Sequence, residues 1–368
     1  MAGVADDRAP TPRVSVVMPV FNGATYLVEA LESVLAQSLE ELELVVVDDG
    51  SQDASGAIIK RFARTDPRVR LLTHERNLGI SAALNHGCRL ARSPYIARLD
   101  SDDIALPGRL SRQAGFLDAH PSVACVGGAI IFIDARGGRL STQRFPTASR
   151  VIHSRLLRSN CFAHPSVMLR RSALDEVGGY RFDQIEDYDL WLRLSERFAL
   201  ANLPEPVILY RLNPRPVSLP GLELQIKRGL AVRAAAQARR ASRLDPLAGI
   251  AELTPAVIDQ LKIADKTVAR TLERASLGRA IVLAELGREQ EADELLAQAT
   301  RTLGPRIPRA FAAARELHEA ARLLGVRRGA SGAAHVLVAF RREPSYVLSR
   351  LRAWLSDRTH RHGRPGSI

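Results

Sequence analysis

Short apolar runs alternate with stretches of helical periodicity over the first hundred residues. Val14–Val20 and residues 43–48 are β-branched apolar runs of strand length, and Tyr26, Leu27, Ala30, Leu31, Val34 and Leu35 recur at helical spacing between them. A helix over 57–64, a strand over Val69–Thr73, a helix over 81–91 and a strand over 95–99 continue the pattern. Strands interleaved with helices of this length predict βαβ units around a parallel sheet, so the expected fold class is α/β. Val123–Ile133 is a further predicted strand and runs into the turn Ala135-Arg136-Gly137-Gly138. A hairpin there makes the second half of the sheet mixed.

From about residue 221 the texture changes to Ala, Leu, Arg and Glu with helical periodicity. The proline-rich run from Asn213-Pro214-Arg215-Pro216 to Pro220-Gly221 is the natural boundary. Residues 271–300 predict a helical hairpin with Leu286-Gly287 at its turn and Ala292, Leu295 and Leu296 on one face. The expected organisation is a disordered segment over 1–12, an α/β domain over 13–220 and an α-helical accessory domain over 221–368.

Composition narrows the class. Of 368 residues, 46% are hydrophobic and 25% charged, and no run approaches the roughly 18 apolar residues of a membrane span. Met1 to Pro12 holds two aspartates and two prolines where a signal peptide would place a basic start and an apolar run. Cys88, Cys125 and Cys161 lie far apart, which argues against a disulfide framework or a cysteine zinc site and for a reducing, cytoplasmic compartment. The net charge of +12 is concentrated in residues 221–368, with 26 basic and 15 acidic residues against 26 and 25 in residues 1–220. That distribution supports a basic accessory region facing an anionic partner, which could be membrane lipid, nucleic acid or an acidic acceptor, with nucleic acid the least expected of the three. Near the end, Val347, Leu348, Leu351, Trp354 and Leu355 share one helical face beside Arg350, Arg352 and Arg358. Such a basic amphipathic tail can lie against anionic lipid or dock on the helical domain.

Three acidic constellations carry candidate chemistry. The run Val45-Val46-Val47 ends in Asp48-Asp49-Gly50-Ser51, followed by Asp53, at the strand end where open parallel sheets bind ligands. A carboxylate there can accept from a base imide or a ribose hydroxyl, although the same residues serve as ordinary helix caps. The strand over 95–99 runs into Asp100-Ser101-Asp102-Asp103, where three carboxylates repel one another unless a cation or strong donors compensate. A cap needs only one of them, and the D-x-D turn suits Mg²⁺ or Mn²⁺. Glu186-Asp187-Tyr188-Asp189-Leu190-Trp191 opens a third element, a helix with Leu190, Trp191 and Leu194 on its apolar face. Acids there complement the helix dipole or supply a general base. His164, in Asn160-Cys161-Phe162-Ala163-His164-Pro165-Ser166, is either a pocket residue or a satisfied structural histidine.

The order of these pieces resembles the family 2 glycosyltransferases over about residues 13–212. The likeness rests on Val14-Ser15-Val16-Val17-Met18-Pro19-Val20-Phe21-Asn22, Glu32-Ser33-Val34-Leu35-Ala36-Gln37-Ser38, Glu43 to Ser51, Arg76-Asn77-Leu78-Gly79, Leu99 to Asp103 and Glu186 to Trp191. It implies a GT-A fold, a nucleotide-diphosphate sugar donor and inversion at the anomeric carbon. Pro19, Val20, Phe21 and Asn22 would form the loop against the nucleotide, with Asp48, Asp49, Asn77, Asn85, Asp100 and Ser101 completing the donor set. Asp49 matches the carboxylate that meets the nucleobase, Asp102 with Asp100 the metal site, and Asp187 the catalytic base. His164, Glu186 and Trp191 are the acceptor-side candidates. Two departures stand out: Leu84 precedes Asn85 where many members carry arginine, and Asn213 follows Tyr210-Arg211-Leu212 where many carry histidine.

These features predict a single displacement, which needs no enzyme nucleophile and fits the lack of a Ser or Cys triad signature. The expected donor is a UDP-sugar, and the acceptor a carbohydrate or lipid-linked hydroxyl in polysaccharide or glycoconjugate biosynthesis at the inner face of the cell membrane. A nicotinamide enzyme would show G-x-G-x-x-G after its first strand, where Pro19-Val20-Phe21-Asn22-Gly23 stands. A nucleotidyltransferase would show a glycine-rich basic loop there. The alternative from another class is a catalytically inactive sugar-nucleotide-binding or scaffold protein.

Overall fold

The computed structural model describes residues 11–212, 219–285, 287–305, 307, 309–313 and 316. The alternation read from the sequence is present as β1 (Val14–Val20), α1 (Ala24–Leu35), β2 (Leu42–Asp48), α2 (Ser55–Thr65), β3 (Val69–Thr73), α3 (Ile80–Leu90) and β4 (Tyr95–Arg98). The four strands are parallel in the order β3-β2-β1-β4. Val45, Val46 and Val47 are fully buried, as a parallel sheet covered on both faces requires. Leu27, Leu31 and Val34 of α1 and Ile59 of α2 pack into one core with alternate strand residues. On α3, a Cβ at Gly87 would sit 2.5 Å from a Val17 methyl, so glycine lets that helix lie directly on β1.

The chain continues through β5 (Ile104–Ala105), α4 (Arg109–Ala119), β6 (Val123–Ile133), β7 (Arg139–Gln143), α5 (Ser149–Leu156), β8 (Met168–Arg170), α6 (Arg171–Glu176), α7 (Glu186–Leu194) and β9 (Ala199–Arg211). Beyond β4 the order is β8-β6-β9-β5, with β7 on β6. The hairpin expected after Val123–Ile133 is present: Ile130 faces Gln143, and the Asp134 carboxylate accepts from the N–H groups of Arg136 and Gly138 at 2.8 Å. The sheet is therefore mixed. β5, β8 and β9 are absent from the sequence reading, and for β9 the cause is visible. It contains Pro204 and Pro206, which cannot donate to a ladder, and its register with β6 slips there, from Gly128 facing Leu203 to Ala129 facing Pro206.

The chain divides into two compact units, one holding the described residues to 212 with Val232–Leu253, the other the described residues of 219–231 and from Thr254 on. Helix α8 (Leu219–Arg240) runs through the boundary drawn on composition at residue 220. Its turns from Val232 on belong to the first unit, where Val232, Ala235 and Ala236 are buried, Arg239 bridges Glu196 and Asp245, both at 2.7 Å, and Arg240 donates to Ser195 Oγ at 2.9 Å. In the second unit, α9 (Pro255–Gln260) is capped by Thr254. The predicted hairpin there is α10 (Asp265–Glu285) and α11 (Glu289–Leu303), with Gly287 at a φ of 71° in the turn. Leu272, Leu277, Ala280 and Leu283 share a core with Ala292, Leu295, Leu296 and Ala299. Residues 1–10, the proline run 213–218 and the basic tail lie outside the described residues. No helix among the described residues is long and apolar enough to cross a membrane.

Candidate functional site

Parallel pairing puts the carboxyl ends of β1, β2 and β4 at one edge, with Val20 level with Asp48. The loops after β1 and β2 are tied to each other there. Asn22, at a φ of 51°, donates its main-chain N–H to Ser51 Oγ at 3.0 Å, and its side-chain oxygen accepts from the Gln52 N–H at 2.8 Å. Pro19 is half-buried, Val20 buried, and Phe21 exposed at 42%. Asp48 is buried and accepts from the Ser51 N–H at 3.0 Å, which is cap chemistry.

Asp49 is also buried, and its carboxylate takes the N–H groups of Leu78 at 2.9 Å and Gly79 at 3.0 Å and lies 2.6 Å from His74 Nδ1. The other nitrogen of His74 is 2.7 Å from His86 Nδ1. Asn77 is exposed and accepts from the Gly79 N–H at 3.0 Å. Asn85 is half-buried; its amide donates to the Tyr180 carbonyl at 2.8 Å and accepts from the Tyr180 N–H at 2.9 Å, so it clamps that segment.

The acidic turn after β4 brings one carboxylate oxygen each of Asp100, Asp102 and Asp103 within 4.8 Å of one another. Ser101 lies beside Gly23, where a Cβ would come within 2.8 Å of its hydroxyl, so the glycine lets this turn approach the first loop. Asp100 pairs at 2.5 Å with the buried guanidinium of Arg98. Asp103 is buried; one oxygen accepts from the Arg211 N–H at 2.8 Å and the other has no partner among the described residues. Burial, then the Asp100 charge, push Asp102 up to about 6, and the same causes with Asp102 added hold Asp103 well above the usual carboxylate range. Crowded hard oxygens, one of them buried and unpartnered, fit a divalent cation of the Mg²⁺ or Mn²⁺ type.

Arg211 closes the turn from below. Its Nε donates to the Asp102 carbonyl at 2.9 Å, Nη2 pairs with Glu29 at 2.7 Å, and the guanidinium lies 4.2 Å over the Tyr26 ring. Beneath β4, Arg109 is fully buried and donates to the Arg98 carbonyl at 2.7 Å, and burial lowers it to about 9. Sequence reasoning missed Arg98, and Arg211 entered it only as part of a Tyr-Arg pair. The available signal was an arginine inside an apolar strand, which implies a buried partner of opposite charge.

On α7, Asp187 is half-buried, and its two oxygens accept from Asn160 Nδ2 at 2.8 Å and from the Tyr188 N–H at 2.6 Å. Burial raises its pKa above the ordinary aspartate value. Glu186 is buried, raised by the same cause, and lies 3.4 Å from His164 Nδ1. Burial, with the Arg98 charge second, lowers His164 to about 3, so its imidazole is neutral, and Nε2 lies 3.2 Å from the Tyr180 hydroxyl. Asp189 is locked between Arg181 at 2.6 Å and Arg193 at 2.8 Å. Trp191 is a correction to the acceptor-side set. It is fully buried, with ring centroids 5.4 Å from Phe162 and 5.8 Å from His164, so it supports α7 from within. His164 and Glu186 likewise lie beneath the surface.

Known proteins resemble this chain in sequence and fold. Residues 15–178 match the sequence model of "Glycosyl transferase family 2". The chain is 35% identical over 211 residues to the putative glycosyltransferase EpsE of Bacillus subtilis, covering 54% of this chain and 73% of that one. It is 36% identical over 188 residues to the amylovoran biosynthesis glycosyltransferase AmsE of Erwinia amylovora, covering 50% and 70%. To the O-antigen biosynthesis glycosyltransferase WbnJ of Escherichia coli it is 32% identical over 207 residues, covering 54% and 80%. Among solved structures, residues 1–349 of Staphylococcus aureus TarS in complex with UDP-GlcNAc superpose with a TM-score of 0.50 at 18% identity, covering 92% of each chain. That likeness is one of fold, a GT-A mixed sheet with flanking helices and a helical C-terminal region. On the identity and coverage shared with EpsE, AmsE and WbnJ, the chain belongs to glycosyl transferase family 2 and is a glycosyltransferase.

Proposed function

We propose that the chain is an inverting glycosyltransferase that moves a sugar from a UDP-sugar to a hydroxyl of a carbohydrate or lipid-linked acceptor during polysaccharide or glycoconjugate assembly. The observation that carries this reading is the acidic turn, three carboxylates within 4.8 Å at the strand edge with a buried Asp103 oxygen left unpartnered. The descriptions of AmsE and WbnJ support the polysaccharide class, and the UDP-GlcNAc complex of TarS supports the donor class. The loop from Pro19 to Asn22, with Asp48, Asp49, Asn77 and Ser101, would receive the nucleotide. By lone-pair count, Asp49 Oδ2, with one N–H donor, keeps capacity for a base imide.

Asp102 and Asp100 would hold a divalent cation, which when bound supplies positive charge to the departing diphosphate. Asp187 takes the acceptor proton as the new bond from oxygen to the anomeric carbon forms and the bond to the diphosphate breaks. Its raised pKa suits a proton acceptor, because the conjugate acid forms readily. The basic tail, with nine basic and two acidic residues over 325–368, supports attachment to an anionic membrane surface at the cytoplasmic face.

Calorimetric titration with UDP-, dTDP- and GDP-sugars, with and without Mn²⁺, tests the reading. The expected result is metal-dependent binding of a UDP-sugar. Metal-independent binding would remove the cation site, and tighter binding of a GDP- or dTDP-sugar would replace the donor class.

A further inference from the structure

We infer that Asn160 is a positioning residue for Asp187, its amide fixing one carboxylate oxygen while the α7 backbone fixes the other. The inference rests on the reading of Asp187 as the base. Asn160 Nδ2 donates to Asp187 Oδ2 at 2.8 Å, and the Tyr188 N–H donates to Asp187 Oδ1 at 2.6 Å. Two donors on two different oxygens set the plane of the carboxylate and leave one lone pair on each oxygen for an acceptor proton.

Asn160 is itself oriented, because its Oδ1 accepts from the Phe162 N–H at 3.1 Å. That bond settles which end of the amide is oxygen and turns the NH₂ group toward Asp187. The segment that leads into Asn160 is anchored at two points ahead of it. The Tyr188 hydroxyl donates to the Leu156 carbonyl at 2.5 Å, and Arg233 donates to the Arg158 carbonyl at 2.7 Å. A base must hold its geometry through proton transfer, and a donor on an otherwise mobile carboxylate supplies that restraint.

The groups facing Asp187 decide the sign of the effect. Glu186, next to it on α7, opposes its ionisation; His164 faces it from the 3₁₀ turn His164–Ser166; Asn160 and the Tyr188 N–H favour the ionised form. His164 is neutral near pH 7, since it is lowered to about 3. Arg233 of α8 acts on neighbouring Tyr188. The ionised form of Asp187 is therefore held by hydrogen-bond donors, and removing the Asn160 donor must raise the pH at which Asp187 ionises.

The test needs no substrate. In protein carrying ¹³C-labelled aspartate carboxyls, the Asp187 resonance is identified by its loss in Asp187→Asn, and its titration is followed in wild type, Asn160→Ala and Asn160→Asp. Asn160→Asp keeps an oxygen acceptor for the Phe162 N–H, so the segment retains its fold while the donor becomes a repelling carboxylate. The expected midpoints rise by about 0.5–1 pH unit in Asn160→Ala and by about one unit or more in Asn160→Asp. An Asp187 midpoint unmoved in Asn160→Asp overturns the inference. The reading of Asp187 as the base fails separately, if Asp187→Asn retains sugar transfer.

Discussion

Asp48-Asp49 at the end of β2 and Asp100 to Asp103 after β4 look alike in sequence, each a run of acids where an apolar strand stops. The structure builds them on opposite terms. Asp49 is buried among donors, with two backbone N–H groups and His74 around its carboxylate. The turn after β4 has one guanidinium on Asp100 and one N–H on Asp103, while Asp102 is pushed up to about 6 and a buried Asp103 oxygen has no partner among the described residues. One acid organises the protein around itself, and the other group stands short of positive charge. Donor supply, rather than acid count, separates a carboxylate that the fold holds in place from one left short of partners.

The largest effect should come from the donor-poor turn. Asp102→Asn is expected to lower transfer by about 10²-fold or more, because charge stabilisation of the departing diphosphate is lost. Folding stability should hold or rise, since one of three crowded negative charges is removed. Mn²⁺-dependent nucleotide binding and a thermal melt, measured on the same preparation, separate the two. Full transfer at limiting metal would remove Asp102 from the cation site.

Asp49→Ala should do the reverse and act first on the fold. The Leu78 and Gly79 N–H groups and His74 lose their acceptor, and buried donors left unsatisfied cost about 2–4 kcal/mol together. Urea unfolding monitored by circular dichroism reads this directly. A midpoint equal to wild type would mean that Asp49 is no more an organiser than Asp102 is.

The difference between the two acidic runs was not legible in the sequence, although their positions were. β1, β3 and β6 carry the bounds expected of them, because β-branched runs between turns leave little choice of register or length. β9 escaped because its prolines argue against a strand, and only its long pairing with β6 overrides them. The site followed the same logic. Asp102 and Asp187 could be found as motif members, but the groups that tune them are distant in the chain. Arg211 reaches Asp103 over 108 positions, and Asn160 reaches Asp187 over 27. Trp191 shows the converse: it sits at a suggestive place in sequence and is committed to the core.

A third acid extends the comparison along β2, away from any ligand. Glu43 is buried and accepts from Ser15 Oγ at 2.6 Å, the Arg92 N–H at 2.7 Å, and the guanidinium groups of Arg70 and Arg92 at 3.0 Å each. Burial alone would raise its pKa, but these donors outweigh it and leave the carboxyl below its ordinary value of 4.5. A carboxylate depressed on folding adds stability that is fully present above 4.5 and is lost as pH falls through the lower folded value. Glu43→Gln should therefore be less stable than wild type near pH 7, by about 1–2 kcal/mol, with the gap closing as the solution is acidified past that point. Urea unfolding at a series of pH values measures the gap, and a gap independent of pH would show that packing rather than ionisation is at work.

The smallest effect belongs to Asp48, Asp49's neighbour, and it sharpens the contrast within a single dipeptide. Asp48 has one backbone donor, the Ser51 N–H at 3.0 Å. Its other oxygen lies near the first turn of α2, where a Cβ on Gly56 would come within 2.9 Å of it. Asp48→Asn keeps a carbonyl oxygen to accept from Ser51, so the cap survives. What it loses is the attraction between a full negative charge and the amino end of α2, roughly 0.3–1 kcal/mol at low salt and less as ionic strength rises. The expected result is a small drop in urea midpoint that fades in 0.5–1 M NaCl, with the Asp49 contacts to Leu78 and Gly79 intact by amide exchange. A loss as large as that of Asp49→Ala would place Asp48 in the same donor network, and the contrast between the two aspartates would then fail.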